Sequence, residues 1–333
     1  MARRDDVHEL VRLVGKGHAR VVDADTGWPG KIEVRTSRTS VRVAAHVGPI
    51  GLTQRDRDDE ERRFQNPVRK GLGPLPVSEL AGHHTLLLGL WTEDKLVDVP
   101  RPVVVAMEVT ESRLTKTTRQ SLFCPLWLLE HVAEHGWGKA VSGSGERLVA
   151  FWPELLPAYL ELELAGAEVE PAEMEGIIGA SGVGDEEDEE PMDRLRREAS
   201  VLARNRVFGA DVVRAYGGAC AMCGLGLGLV EGAHIYPVSA PKSPDKVWNG
   251  LCLCPNHHKA FDRHLVWVRP EDLGVVLHGS IRGMADKGHD AYRALVDVTL
   301  PQLRAPGEKA HEPRAEMFTR RYGFFASRYD WAS

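Results

Sequence analysis

Two short pairs of soft ligands constrain this 333-residue chain more than any other feature. Cys220-Ala-Met-Cys223 is a CxxC pair, and Cys254-Pro-Asn-His257 follows about thirty residues later as a CxxH pair. Each pair can curl on a tight turn so that its two ligands converge, with Gly217, Gly218 and Gly224 serving the first turn and Pro255 with Asn256 the second. Three thiols and an imidazole suit tetrahedral zinc and leave no open position, so such an ion would be structural. The plain alternative is a set of buried free cysteines with a surface histidine. Five cysteines are an odd number, and this spacing fits a reducing compartment better than a disulfide framework.

Inside that staple lies a second cluster: Ala233-His234-Ile235-Tyr236-Pro237, then Trp248-Asn249-Gly250-Leu251, then His257-His258-Lys259-Ala260-Phe261-Asp262. Val230 to Pro237 and Val247 to Cys254 are short apolar runs joined by a Ser-, Pro- and Asp-rich loop, which predicts an antiparallel hairpin. Pro255 is tolerated in the first turn of a following helix, and His258 and Asp262, four apart, would share one face of it. A hairpin facing that helix would present three inward side chains.

This cluster resembles the HNH, or ββα-metal, nuclease superfamily, in the branch found fused to DNA-recognition domains of restriction enzymes. The resemblance covers Tyr216 to Leu265, and extends more weakly to His278-Gly279-Ser280 and Leu300-Pro301. It implies that His234 is the general base that deprotonates the attacking water, a task suited to an imidazole. It implies that His258 holds a divalent metal, Mg or Mn, with Asp262 a second ligand by position, and that the metal neutralises the phosphate and the departing 3′ oxygen. Asn249 matches the central motif residue, which fixes the hairpin and the base. The chain departs from the pattern at Ala233, where many members carry a metal-binding Asp or His. Coordination would then rest on His258, Asp262, water and substrate phosphate, or on another carboxylate such as Glu231. His257 and His258 could exchange roles, but the CxxH register favours Cys220, Cys223, Cys254 and His257 for zinc.

A formal net charge of -6 argues at first against nucleic acid, since phosphate contacts favour a basic surface. Much of the acid, however, falls between Glu168 and Glu190, and Arg and Lys cluster elsewhere. The stretch 166–191 reads as an acidic flexible linker, with a DNA-mimicking shield as the less favoured alternative. It would separate residues 1–165, a target-recognition domain, from residues 192–333, the nuclease domain with its core at 216–265. Strands are expected within Lys31 to Val47, Leu86 to Trp91 and Val103 to Val109, helices at Pro125 to His135 and Pro153 to Leu160, and a long basic helix at Met192 to Tyr216. A short strand at Gly274 to Leu277 and a terminal helix at Pro313 to Phe325 complete the reading. The fold class is therefore α+β, a strand-rich recognition domain followed by a zinc-stapled ββα-metal domain.

An HNH site contacts mainly backbone, so sequence choice would fall to the first domain. Arg63, Gln65, Asn66, Arg69 and Lys70, and Arg113, Lys116 and Arg119, combine cations for phosphate with groups able to reach base edges, or else form solvated loops. Arg263 joins them beside the nuclease motif. Trp91, Trp127, Trp137 and Trp152 read as core rather than as a cage for a modified base, and Cys124 and Cys252 as core thiols. No apolar run reaches the ~20 residues of a membrane span, and the start runs straight into charge, so a cytoplasmic protein is expected. The reading is a restriction-type endonuclease acting on double-stranded DNA as a homodimer, with possible dependence on base modification. A non-catalytic zinc-containing DNA-binding regulator is the alternative, and an RNA-cutting or toxin nuclease a third.

Overall fold

A computed structural model describes residues 2–23, 27–52, 60–183 and 189–332. The chain divides into two compact units, Met1–Leu164 with Glu168–Arg204, and Ala165–Ala167 with Asn205–Ser333. Among the described residues, no helix is long and apolar enough to cross a membrane.

In the first unit, α1 (Ala2–Val14) precedes β1 (Ala19–Val21), β2 (Gly30–Arg35) and the long β3 (Ser40–Leu52). Then come β4 (Glu61–Gln65), the small hairpin β5 (Val68–Arg69) and β6 (Gly73–Pro74), β7 (His84–Trp91), β8 (Val103–Met107), α2 (Glu111–Thr115) and β9 (Ser121–Pro125). The unit closes with α3 (Leu126–His135), β10 (Trp137–Val141), β11 (Arg147–Phe151), α4 (Leu156–Ala165), α5 (Pro171–Ser181) and the start of α6 (Glu189–Ala215). Apart from the β5–β6 hairpin, the described strands of this unit join one sheet in the order β1-β2-β3-β7-β8-β11-β10, with β4 and β9 continuing from the end of β3. Only β3 and β7 pair in parallel among these strands. All five residues of β8 are buried, as a strand covered on both faces requires. Its partners across the core include Trp91, Leu128, Leu129 and Val132. Helix α3 stops where Gly136 adopts a left-handed φ of 84° and donates its N–H to the Val132 carbonyl.

The flexible linker expected over 166–191 is corrected for most of its length. Residues 171–181 form α5, which begins with a proline and a capping box between Glu170 and Glu173 and buries Met174 and Ile178. Those two apolar residues stand four apart, enough to seat one helical face on the core despite the acidic composition around them. Residues 184–188 of the acidic run lie outside the described residues. The division between units falls instead within α6, between Arg204 and Asn205.

The second unit contains the C-terminal part of α6, the hairpin β12 (Glu231–His234) and β13 (Gly250–Leu253), α7 (Pro255–Asp262), a second hairpin β14 (Val266–Val268) and β15 (Val275–Leu277), then α8 (Gly279–Asp286), α9 (Asp290–Val298) and α10 (Ala315–Phe324). Its core joins Phe208 and Val212 of α6 to Ala233, Ile235, Leu251, Leu253, Phe261 and Phe318. Arg321 of α10 is buried at its centre. Its guanidinium donates to the carbonyls of Ile235 (3.0 Å) and Phe261 (2.8 Å), and lies 3.9 Å above the Phe261 ring. A cation is tolerated there because each face and edge it presents meets an acceptor or a π-system. It ties the end of β12 to the end of α7.

Candidate metal and nuclease site

The four residues of the paired spacing converge. Ligand atoms of Cys220, Cys223, Cys254 and His257 all lie within 4.8 Å of one another. Cys254 Sγ is 3.3 Å and Cys220 Sγ 3.7 Å from His257 Nδ1, and Cys223 Sγ is 3.8 Å from Cys254 Sγ. On the far side of the ring, His257 Nε2 is 3.0 Å from Thr299 Oγ1, whose hydroxyl donates to the Leu295 carbonyl. The hydroxyl proton is thus engaged, so Nε2 carries the ring proton and Nδ1 turns its lone pair to the thiols. A donor set rich in sulfur, closed and with one oriented imidazole, fits zinc. The following chain encloses it: Leu300 N–H donates to the Met222 carbonyl and Arg304 N–H to that of Ala221. Cys252 lies on β13 outside the four, its thiol pushed up to about 12 by burial; Cys124 in the first unit is raised likewise.

Between the two ligand pairs, β12 and β13 pair antiparallel, with Glu231 opposite Leu253 and His234 opposite Gly250. The hairpin lies directly on α6. A Cβ on Gly232 would sit 2.7 Å from both the Cα and the carbonyl oxygen of Gly209, and one on Gly250 would sit 2.4 Å from Val212 Cγ2. Strand alternation therefore sends Gly232 and His234 to the α6 side. The His234 imidazole stacks on Phe208 at 3.6 Å between centroids, and its Nε2 is 3.0 Å from Asp245 Oδ1. Asp245 comes from the loop between the strands, a partner that the motif alone does not mark.

Asn249 is fully buried and has no room for substrate. Its Oδ1 accepts from Tyr236 N–H (2.9 Å), while Nδ2 donates to the carbonyls of Tyr236 (3.1 Å) and Pro244 (3.0 Å). It pins both ends of the loop that carries Asp245. Arg320 adds donations to the Pro241 and Lys242 carbonyls and lies over the Tyr236 ring.

His258 and Glu231 form the second imidazole–carboxylate pair, with Nδ1 to Oε2 at 3.0 Å. Asp262 Oδ2 lies 3.6 Å from the other ring nitrogen, Nε2. The two carboxylates thus face opposite nitrogens of one ring, so a single ion on His258 meets Glu231 or Asp262, not both. His234 lies on the α6 side of the hairpin and His258 on α7, each imidazole with its own carboxylate partner.

Residues 220–269 match the family described as HNH endonuclease. The chain carries an HNH endonuclease domain. Residues 42–160, ahead of the HNH domain, match the family described as Methylase-associated X1. No curated protein matches the chain. Among solved structures it is similar to a "Modification dependent TagI restriction endonuclease", at 14% identity, covering 88% of this chain and 84% of that one with a TM-score of 0.31, too low to argue from one protein to the other.

The sequence-marked DNA contacts fall into two groups. Arg113 is buried and gripped by Glu146 through two hydrogen bonds (2.6 and 2.5 Å), and Asn66 is buried with its amide bonded to the Leu75 carbonyl and the Gln120 N–H. Both are committed to the fold and are withdrawn. Gln65 bridges Arg119 (2.6 Å) and Ser121 (2.7 Å) at the surface, while Arg69, Lys70, Lys116, Arg119 and Arg263 are exposed. Arg63 is half-buried on β4. Trp91, Trp137 and Trp152 are core, and Trp127 is exposed.

Proposed function

We propose that the protein is a restriction-type endonuclease that hydrolyses double-stranded DNA, with His234 as the base nitrogen carrier and His258 as the metal ligand. Two imidazole–carboxylate pairs, each at 3.0 Å, on a hairpin and helix matched by the HNH family carry this reading. Asp245 meets Nε2 of His234 and orients the ring, and an imidazole so held is suited to take a proton from water. His258 Nδ1 and Glu231 would hold a Mg- or Mn-type cation, for which an oxygen donor and an imidazole are suitable. When bound, that ion supplies charge neutralisation at the phosphate and the leaving oxygen. Asp262, on the far side of the ring, orients it. A thiol-rich zinc site keeps the hairpin and α7 in register and takes no part in the reaction.

Exposed Arg69, Lys70, Lys116 and Arg119 of the first unit, with Arg63 and Gln65, are the proposed duplex contacts, and Arg263 the one beside the nuclease helix. A first unit matched to a methylase-associated family supports cleavage conditional on base modification. One HNH site cuts one strand, so double-strand cleavage calls for a homodimer or two successive events. The separate carboxylate partners of His234 and His258, and a thiol-rich cluster that needs no reaction, favour a second reading, a zinc-containing DNA-binding regulator. Modified and unmodified genomic DNAs incubated with Mg²⁺ or Mn²⁺, with RNA in parallel, separate the readings. Cut DNA ends with 5′-phosphates support the nuclease; binding without cleavage of any substrate supports the regulator.

A further inference from the structure

The first unit contains a cavity of about 420 Å³ between the turn at Gly17-His18, the end of β2, the start of α4 and the first turns of α6. Arg35, Arg196 and Arg197 line it, against Glu154 and Asp193. Glu154 is already paired with Arg101 (3.3 Å) and Asp193 with Arg196 (3.2 Å). Arg35 and Arg197 have no carboxylate partner among the described residues, which leaves the cavity net positive. His18 on its wall reports the same field: its pKa is lowered by burial and then by Arg196 and Arg35, with only Asp193 opposing. Leu155, Pro157 and Ala158 line the cavity beside these charges.

We propose that this cavity binds a phosphorylated ligand of mononucleotide size. Its phosphate meets Arg35 and Arg197, and its ring lies on the Leu155–Ala158 wall. The volume falls within the range of small-ligand pockets, roughly 300–1,000 Å³. A nucleotide of this kind is either free or displaced from a DNA strand, and the site is independent of the nuclease chemistry proposed above.

Calorimetric titration of the full chain in EDTA tests it, with deoxycytidine monophosphate, deoxycytidine and inorganic phosphate as probes. The nucleotide is expected to bind more tightly than either part. The double variant Arg35→Ala/Arg197→Ala, at two exposed positions, should lose about tenfold or more in affinity for nucleotide and phosphate alike. Displacement of the nucleotide by duplex DNA assigns the ligand to a strand, and persistence in its presence assigns it to the free pool; both retain the site. Absence of nucleotide binding, equal affinity in the double variant, or phosphate binding as tightly as nucleotide overturns the proposal.

Discussion

His234 and Asp245 meet across a loop whose two ends are held by one buried asparagine, so the base depends on residues that never touch substrate. Removing the imidazole with His234→Ala should lower single-turnover nicking by about 10²–10⁴-fold. Asp245→Asn retains the shape but not the charge. It should lower kcat by less, leave KM nearly unchanged and alter the pH profile, whereas a purely structural loss would lower thermal stability without moving that profile. In the first unit, Arg62 and Asp94 form a fully buried ion pair, and Trp91 Nε1 donates to the same carboxylate. Burial alone would raise the Asp94 carboxyl, but Arg62, the Leu96 N–H and Trp91 overcome it and hold the pKa at about 2. Its stabilisation is complete above the ordinary value of 3.8 and is lost as pH falls from there towards about 2. Asp94→Asn should cost about 3 kcal/mol at neutral pH and flatten that acid limb, as denaturation midpoints at pH 6 and 3 would record. At this scale the sequence revealed the groups that sit in short motifs. Asp245, Thr299 and Arg321 act through contacts 11 to 86 residues away, which no local spacing announces.

The hairpin, α7 and the end of α6 form the element on which the site is built, and their spacing is set by what is missing from two side chains. Gly232→Ala would force β12 away from the Gly209 backbone, where nothing flexible can yield. A loss of about 1–3 kcal/mol in stability is expected, with nicking reduced together with it. Thr299→Val removes the acceptor for His257 Nε2 and nearly preserves volume. Metal competition should show about 10–100-fold weaker zinc binding, with the fold retained at saturating zinc. The hairpin and α7 were legible in the sequence because Pro255, Asn249-Gly250 and the ligand pairs punctuate it. Which face each histidine takes was not, since alternation in a strand inverts with a shift of one residue and only packing on α6 fixes the phase.

For the whole molecule, composition misled where burial of a few residues overrode it. An acid-rich stretch read as a linker contains α5, because Met174 and Ile178 suffice to dock it. Strand-rich character of residues 1–165 was visible in its alternation, but the parallel pairing of β3 with β7 joins segments separated by other strands and leaves no local trace. Both units carry elements of the proposed function, recognition in one and hydrolysis in the other, so the decisive assay uses the full chain. Supercoiled plasmid should be incubated with saturating Mn²⁺ and wild type, His234→Ala or His258→Ala, with DNA binding measured in parallel. The account predicts nicking by wild type alone and comparable binding by all three. Nicking undiminished in either variant, or no nicking by wild type on DNA it binds whatever its modification, would contradict it.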